Sequence, residues 1–127
     1  MKEQFYSRTE LLIGKDGIER LNKSRVAVIG IGGVGSFAAE ALARAGVGTL
    51  VLVDHDIICP SNLNRQILAL RSTLALPKVE VMKNRILDIN PDAKVIGIRE
   101  FYSEKTATRI LSTDYDYVVD AIDSLGS

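Results

Sequence analysis

The feature that most restricts the fold of this chain is a glycine-rich segment between two apolar runs, "RVAVIG" and "TLVLVD". Gly30, Gly32 and Gly35 have G-x-G-x-x-G spacing within "GIGGVG". In such a loop the first glycine permits a tight turn, the second lets a phosphate approach the backbone, and the third lets the helix pack on the strand. Gly33 adds further room. The segment therefore predicts a nucleotide site in which phosphates face the N-terminus of the following helix.

Short apolar runs alternate with helical patterns along the remaining chain. The predicted strands are "RVAVIG", "TLVLVD", "AKVIGIRE" and "YDYVVDAID", with helices between them. This alternation predicts right-handed parallel crossovers and hence an α/β fold: a Rossmann-like, doubly wound, mainly parallel sheet with helices on both faces. Sheets of this class normally continue with further strands, so we expect the sequence to be truncated after the fourth strand.

The chain of 127 residues is divided into an N-terminal helical segment, residues 1–24, and a Rossmann-like nucleotide-binding domain, residues 25–127. The N-terminal segment is expected to form short helices interrupted at Gly14 and Gly17. Helical spacing after the glycine loop predicts one buried helix face. The residues of that face are Val34, Phe37, Ala38, Ala41, Leu42 and Ala45. A further helix is expected to begin at Pro77.

Composition excludes several classes of function. Sixteen Lys and Arg residues balance sixteen Asp and Glu residues, so no global field attracts nucleic acid or an anionic membrane. The single cysteine, Cys59, excludes an intrachain disulfide and a multi-cysteine zinc site. No apolar stretch reaches the ~20 residues of a membrane span, and we expect a cytoplasmic protein. His55 has no second histidine to share a metal with and is expected to be an exposed loop residue.

The polar segment after the second predicted strand distinguishes between nucleotide chemistries. It reads "DHDIICPSNLNRQ", and Asp54 at its start is placed to accept hydrogen bonds from ribose hydroxyls. Hydride transfer needs few polar protein groups, because the nicotinamide supplies the chemistry. Transfer of AMP needs cations that neutralise phosphate charge and amides that fix oxygens. The segment therefore favours ATP, although the glycine loop by itself also permits an NAD-dependent dehydrogenase.

Several motifs together resemble the adenylating enzymes related to ubiquitin activation. The matching motifs are "GIGGVG", "VDHD", "SNLNRQ", "KVEVMKNRILDINP" and "DAID", in the order of that superfamily. Within it the chain most resembles the tRNA threonylcarbamoyladenosine dehydratase branch, through "FYSRTELLIGKDGIERL", "GGVGSFAAEALARAGVG" and Asn64. The chain departs from the pattern at Ala75 and Leu76, where relatives usually have glycine and a basic residue.

The resemblance implies ATP and Mg²⁺ as cofactors and a homodimer as the assembly. The implied ATP-binding residues are Gly30, Gly32, Gly33, Gly35, Asp54, Asp56, Asn64, Arg65, Gln66 and Lys78. Arg65 and Lys78 would stabilise phosphate charge, and Asp123 would organise Mg²⁺. Arg8 would reach the phosphates of the partner subunit.

The resemblance also implies a substrate. The threonyl carboxylate of N6-threonylcarbamoyladenosine in tRNA would attack the α-phosphate of ATP, and the neighbouring carbamoyl group would then close the ring and expel AMP. One alternative is adenylation of a ubiquitin-like sulfur-carrier protein, and another is a nucleotide-binding fragment without activity.

Plainer roles also fit individual residues of the predicted site. Lys78 could be a solvated lysine of a first helical turn, and Arg65 could pair with a surface acid. Asp56 and Asp123 could cap a turn and a helix. Cys59 has no histidine partner nearby and is interpreted as a structural thiol.

Overall fold

A parallel sheet forms the centre of the molecule, seen in a computed structural model that describes residues 2–112 and 114–122. The strands are β1 Arg25–Ile29, β2 Thr49–Val53, β3 Lys94–Ile98 and β4 Tyr117–Asp120. Their order across the sheet is β3-β2-β1-β4, and every pair is parallel. In the central register, Val28 of β1 pairs with Leu52 of β2 and with Val119 of β4. The predicted α/β architecture is confirmed.

Helices cover both faces of the sheet. They are α1 Lys2–Phe5, α2 Ser7–Lys23, α3 Gly33–Ala45, α4 Lys78–Ile89 and α5 Glu104–Ile110. Side chains alternate along β1 because the period of a strand is two residues. Val26 and Val28 pack in the core shared with α3 and α4, whereas Ala27 and Ile29 pack in the core shared with α5. The sheet is therefore doubly wound, as the sequence predicts.

The strand order places a ligand crevice at one edge of the sheet. The chain runs outward from β1 to β3 and then returns across the sheet to place β4 on the other side of β1. The helix that follows β1, α3, packs on one face of the sheet, and the helix that leads into β4, α5, packs on the other. In open α/β sheets this arrangement creates the crevice in which ligands bind.

The buried face of α3 differs from the predicted one. Val34 and Phe37 are 71% and 53% exposed, and Ala41 is also exposed. The side that packs on the sheet contains the small residues Gly35, Ser36, Ala39 and Ala43. Gly35 lies so close to the glycine loop that a Cβ there would be 1.6 Å from the carbonyl oxygen of Gly30. The helix therefore buries small residues where it approaches the sheet most closely. Leu42 of the predicted face also packs against the core, whereas Val34 and Phe37 face outward.

The N-terminal segment is interrupted at Gly14, as the sequence predicts, but not at Gly17. Gly14 has φ 73°, which interrupts α2, whereas Gly17 lies within the helix. Upstream, the Tyr6 ring is buried against Gly46, and its hydroxyl donates to Asn22 Oδ1 at 2.9 Å. Burial raises the pKa of Tyr6.

Across the described residues, we find no helix with the length and apolar character needed to cross a membrane. The longest helix, α2, is polar over much of its surface and is interrupted at Gly14.

Candidate functional site

A cleft opens at the carboxyl ends of the strands, beside the glycine loop. It has a volume of about 220 Å³. Its lining comes from all four strand ends, the segment after β2 and the first residue of α4. The lining residues are Ile29, Gly30, Gly32, Val53, Asp54, His55, Asp56, Asn62, Arg65, Gln66, Lys78, Glu100, Phe101, Tyr102, Ala121 and Ile122. The cleft lies where the strand order predicts a ligand crevice.

The glycine loop combines crowded and open positions. Gly30 has φ 92°, and a Cβ on it would lie 2.9 Å from the Ala121 carbonyl oxygen. A Cβ on Gly32 or Gly33 would make only ordinary contacts, with Gln66 Nε2 at 3.5 Å and Arg65 Cγ at 3.8 Å respectively. The loop therefore needs Gly30 and Gly35 for its own backbone path, and it keeps room at Gly32 and Gly33 for a ligand.

Asp54 connects the glycine loop to the polar segment that follows β2. Its Oδ2 accepts the Ile31 N–H at 2.7 Å, and its Oδ1 accepts the Asp56 N–H at 2.8 Å. A carboxylate oxygen can accept more than one hydrogen bond, so both atoms keep acceptor capacity. The predicted contact with ribose remains a prediction, and the bracing of the two loops is an additional role.

Lys78 is buried at the start of α4, with 5% of its surface exposed. The alternative interpretation of Lys78 as a solvated lysine is therefore wrong. Its N–H donates to the Asp56 carbonyl at 3.1 Å, and its Nζ lies 4.0 Å from Asp56 Oδ2. A buried ammonium beside a helix N-terminus has unfavourable desolvation and macrodipole energies. An anionic ligand in the cleft would offset both.

The chain between Asp56 and Lys78 is closed by a short antiparallel contact. Ile58 N–H donates to the Leu76 carbonyl at 2.9 Å, and Ala75 N–H donates to the Ile58 carbonyl at 2.8 Å. Ala75 has φ 70°, in the left-handed region that favours glycine. Ala75 therefore has the backbone conformation of a glycine, which is the residue that the resemblance leads us to expect at this position.

The amides and the arginine of "SNLNRQ" occupy different environments. Arg65 is exposed, and its Nη1 donates to the Ser61 carbonyl and to Asn64 Oδ1, both at 3.0 Å. Asn64 is also exposed. Gln66 is 5% exposed, and its Oε1 has no hydrogen-bond partner among the described residues. A buried, unpaired acceptor beside the cleft fits a site completed by a bound ligand or its water.

The sequence of residues 6–127 matches the model of the ThiF family. The chain belongs to the ThiF family. A tRNA threonylcarbamoyladenosine dehydratase of Bacillus subtilis is 55% identical over 120 residues, which cover 94% of this chain and 47% of that protein. Sulfur carrier protein ThiS adenylyltransferase of Escherichia coli is 40% identical over 124 residues, covering 96% of this chain and 49% of that protein.

Solved structures of ThiF-family relatives include nucleotide complexes. The Escherichia coli tRNA N6-threonylcarbamoyladenosine dehydratase in complex with ATP is 44% identical and has a TM-score of 0.94, covering 96% of this chain and 50% of that one. The same enzyme in complex with AMP also has a TM-score of 0.94. This ThiF-family chain spans about half the length of the relatives that it matches.

Our sequence analysis missed part of the cleft of this ThiF-family chain. Glu100, Phe101 and Tyr102 follow β3, and Ile122 follows β4. The signal that could have found them is position alone, because ligands of open α/β sheets bind outside the carboxyl ends of the strands. His55 was interpreted as a plain loop residue, and it is half exposed, yet it also lines the cleft.

Two of the predicted catalytic residues remain predictions. Arg8 is exposed on α2 and does not line the cleft. Asp123 lies outside the described residues. Cys59 is exposed, and its interpretation as a structural thiol stays a prediction.

The described residues also bring together one group of potential metal-ligating atoms. Ligand atoms of Asp54, His55 and Asp56 lie within 4.8 Å of one another. Asp54 already accepts two backbone hydrogen bonds, and Asp56 lies next to the Lys78 ammonium. A cation would compete with Lys78 for the same carboxylate, so we do not assign Mg²⁺ to this group.

Proposed function

We propose that this chain is the ATP-binding part of an enzyme that activates a carboxylate as its adenylate. The observation that most supports this proposal is the buried Lys78 beside an open glycine loop, in a fold shared with an ATP-bound relative. The donors of Arg65 fit an anionic ligand, and the unpaired Gln66 oxygen fits a ligand group or water that donates a hydrogen bond.

The proposed acceptor is the threonyl carboxylate of N6-threonylcarbamoyladenosine in tRNA, by analogy with the relatives named above. A carboxylate oxygen attacks the α-phosphorus, the bond between the α- and β-phosphates breaks, and pyrophosphate leaves. The carbamoyl group then attacks the activated carbonyl carbon, AMP leaves, and a ring forms. The sum is loss of water from the modified base, driven by conversion of ATP to AMP and pyrophosphate.

Charge stabilisation is the main task of the residues in this reaction. Lys78 is fixed by Asp56 and by its own burial, so its ammonium needs little reorganisation when charge develops on the phosphates. Arg65, held near Asn64, is the second proposed cation. Gly32 and Gly33 let phosphates approach the backbone, and the fixed donors of the loop orient them. Asp54 is proposed to bind the ribose as well as to brace the loop.

Mg²⁺ would neutralise charge on the departing pyrophosphate. Asp123 is the residue proposed to organise it, through the resemblance to adenylating enzymes. Its position follows Ile122, which lines the cleft. The assignment predicts that Asp123→Ala raises the Mg²⁺ concentration needed for activity. It also predicts that the melting temperature measured without ATP stays unchanged.

A homodimer is proposed as the assembly that completes the site. Arg8 is exposed and does not line the cleft of its own chain, which fits the proposed contact with the phosphates of a second copy. Leu11 and Leu12 beside it on α2 are 85% and 87% exposed, and Val34 and Phe37 on α3 are also exposed. Apolar side chains at this exposure are typical of surfaces covered by a partner. A cytoplasmic location suits a tRNA substrate.

The experiment that tests the proposed function measures pyrophosphate release from ATP and Mg²⁺ by the full-length protein. Three conditions are compared: tRNA carrying threonylcarbamoyladenosine, the same tRNA without the modification, and no tRNA. Release that requires the modification supports the dehydratase function. Release that ignores the modification overturns it.

A second candidate function is adenylation of a ubiquitin-like sulfur-carrier protein. It is favoured by the similarity to ThiS adenylyltransferase across nearly the whole chain. The same assay separates the two functions when a carrier protein with a free C-terminal carboxylate replaces tRNA. Pyrophosphate release only with the carrier would assign this second function.

A further inference from the structure

His55 lies between the aromatic and the ionic parts of the cleft. Its ring meets the Phe101 ring edge to face, with centroids 4.9 Å apart and planes at 70°. On the other side its Nε2 is 3.0 Å from Asp56 Oδ1. Both neighbours line the cleft. A single side chain therefore contacts two groups that would face different parts of a nucleotide.

The contact with His55 restricts the orientation of the exposed Phe101 ring. Phe101 is 50% exposed and follows the end of β3, where its backbone leaves the sheet. Edge-to-face packing is the preferred geometry for an aromatic pair, since the positive edge of one ring meets the negative face of the other. A ring held in advance loses less entropy when a ligand packs against it.

The contact between His55 and Asp56 also affects the position of the Lys78 ammonium. The two oxygens of the Asp56 carboxylate are occupied differently: Oδ1 lies beside His55, and Oδ2 lies 4.0 Å from Lys78 Nζ. Holding Oδ1 limits rotation of the carboxylate and so keeps Oδ2 directed toward the ammonium. The position of the buried cation then depends on a residue that does not touch it.

We propose that His55 is a positioning residue of the nucleotide cleft, which orients Phe101 for the base through its ring and Lys78 for the phosphates through Asp56. The proposal rests on the proposed function, because it assumes that the cleft binds ATP. It goes beyond that function in assigning two separable tasks to one side chain, each of which acts through a neighbouring residue.

The two tasks can be separated by two substitutions. His55→Phe keeps an aromatic edge beside Phe101 and removes the nitrogen beside Asp56. His55→Gln keeps a polar group beside Asp56 and removes the ring. Arg71→Gln is the matched control, since Arg71 is exposed in the same connection and does not line the cleft. The dissociation constants of ATP and of adenosine are measured for the full-length protein and each variant.

The expected result is a split between the two ligands. His55→Phe weakens ATP binding by about 3-fold, the effect of losing one exposed polar contact, and leaves adenosine binding unchanged. His55→Gln weakens adenosine binding by about 3- to 10-fold, the effect of losing one aromatic pair, and weakens ATP binding to the same extent. Arg71→Gln changes the dissociation constant of neither ligand.

If His55 had a purely structural role, both variants would weaken the binding of ATP and of adenosine equally, and that result would overturn the proposal. Unchanged affinities in both variants also overturn it, as does the opposite split. Thermal melting of each variant shows that it folds. A wild-type protein that binds neither ATP nor adenosine contradicts the proposed function itself, so the two failures are distinguishable.

Discussion

Two loops meet at the cleft, and they are built on different physical principles. The glycine loop, residues 30–35, follows its path because side chains are absent: Gly35 has no room for a Cβ, and Gly30 has φ 92°. The polar loop, residues 54–66, follows its path because side chains are present. Asp54 and Asn62 each accept backbone N–H groups within it. The first loop is therefore sensitive to added atoms, whereas the second is sensitive to lost hydrogen bonds and charges.

The largest expected effect tests the steric half of this comparison. In Gly35→Ala the new Cβ would lie 1.6 Å from the Gly30 carbonyl oxygen, so β1 and α3 must separate. We expect a loss of about 3 kcal/mol or more in the free energy of unfolding, since the colliding atom is backbone. Urea denaturation of the full-length protein measures it.

Gly33→Ala is the matched control for Gly35→Ala. Its Cβ would meet nothing closer than 3.8 Å, and alanine is favoured over glycine in a helix by about 0.5–1 kcal/mol. Stability should therefore stay level or rise, while ATP binding weakens because the methyl group enters space left for phosphates. Equal destabilisation by the two alanines would contradict the steric account of the loop.

The next-largest expected effect tests the contribution of charge to the site. Lys78→Met keeps the length of a buried side chain and removes its charge. We expect pyrophosphate release to fall by about 10²–10³-fold, the usual effect of removing one preorganised charge from a reaction site. Stability should be preserved or increased, because methionine has no desolvation penalty. Turnover and urea denaturation are both measured, and loss of stability parallel to activity would assign Lys78 a structural role.

The contrast between the loops also explains what the sequence could predict. Glycine spacing and β-branched runs are local signals, so the strands, the glycine loop and the helix after it were all predicted correctly. The face of α3 was not. Two stripes fit the same helical period there, one of Val34 and Phe37 and one of Gly35 and Ala39. The choice depends on how closely the helix approaches the sheet, which is a property of the packed structure.

The cleft shows the same division between local and tertiary information. Asp54 and Lys78 could be named from sequence, since they flank motifs with recognisable order. The contributions of His55 and Phe101 could not, because residues 46 positions apart meet only when β2 and β3 pair. The burial of Lys78 was also hidden, since it depends on the ladder that joins Ile58 to Leu76.

A third prediction concerns the ion pair that joins α3, which follows the glycine loop, to α4, which begins at Lys78. Glu40 on α3 accepts a hydrogen bond from Arg85 on α4 and lies 3.5 Å from Arg44. The hydrogen bond from Arg85 lowers the pKa of Glu40. We expect Glu40→Gln to destabilise the fold by about 1 kcal/mol at neutral pH.

The pH dependence of that effect has a definite sign. Because the folded pKa of Glu40 is depressed, its contribution is present above the ordinary glutamate value of about 4.3 and is lost as pH falls through the folded pKa. The difference between wild type and Glu40→Gln should therefore disappear in acid. Denaturant midpoints measured from pH 7 to pH 3 check this, and a constant difference would show that the charge is not responsible.

The smallest expected effect is a gain, and it concerns the connection that leads from the polar loop to Lys78. Ala75 has φ 70°, a conformation that glycine adopts without strain. Ala75→Gly removes that strain but adds conformational freedom to the unfolded chain, which opposes the gain. We expect a net stabilisation of about 0.5 kcal/mol. Ala107→Gly within α5 is the control, since glycine there costs about 1 kcal/mol. Opposite signs for the two variants support strain at Ala75. If both variants lose stability, the hydrogen bond from the Ala75 N–H to the Ile58 carbonyl holds the connection without measurable strain.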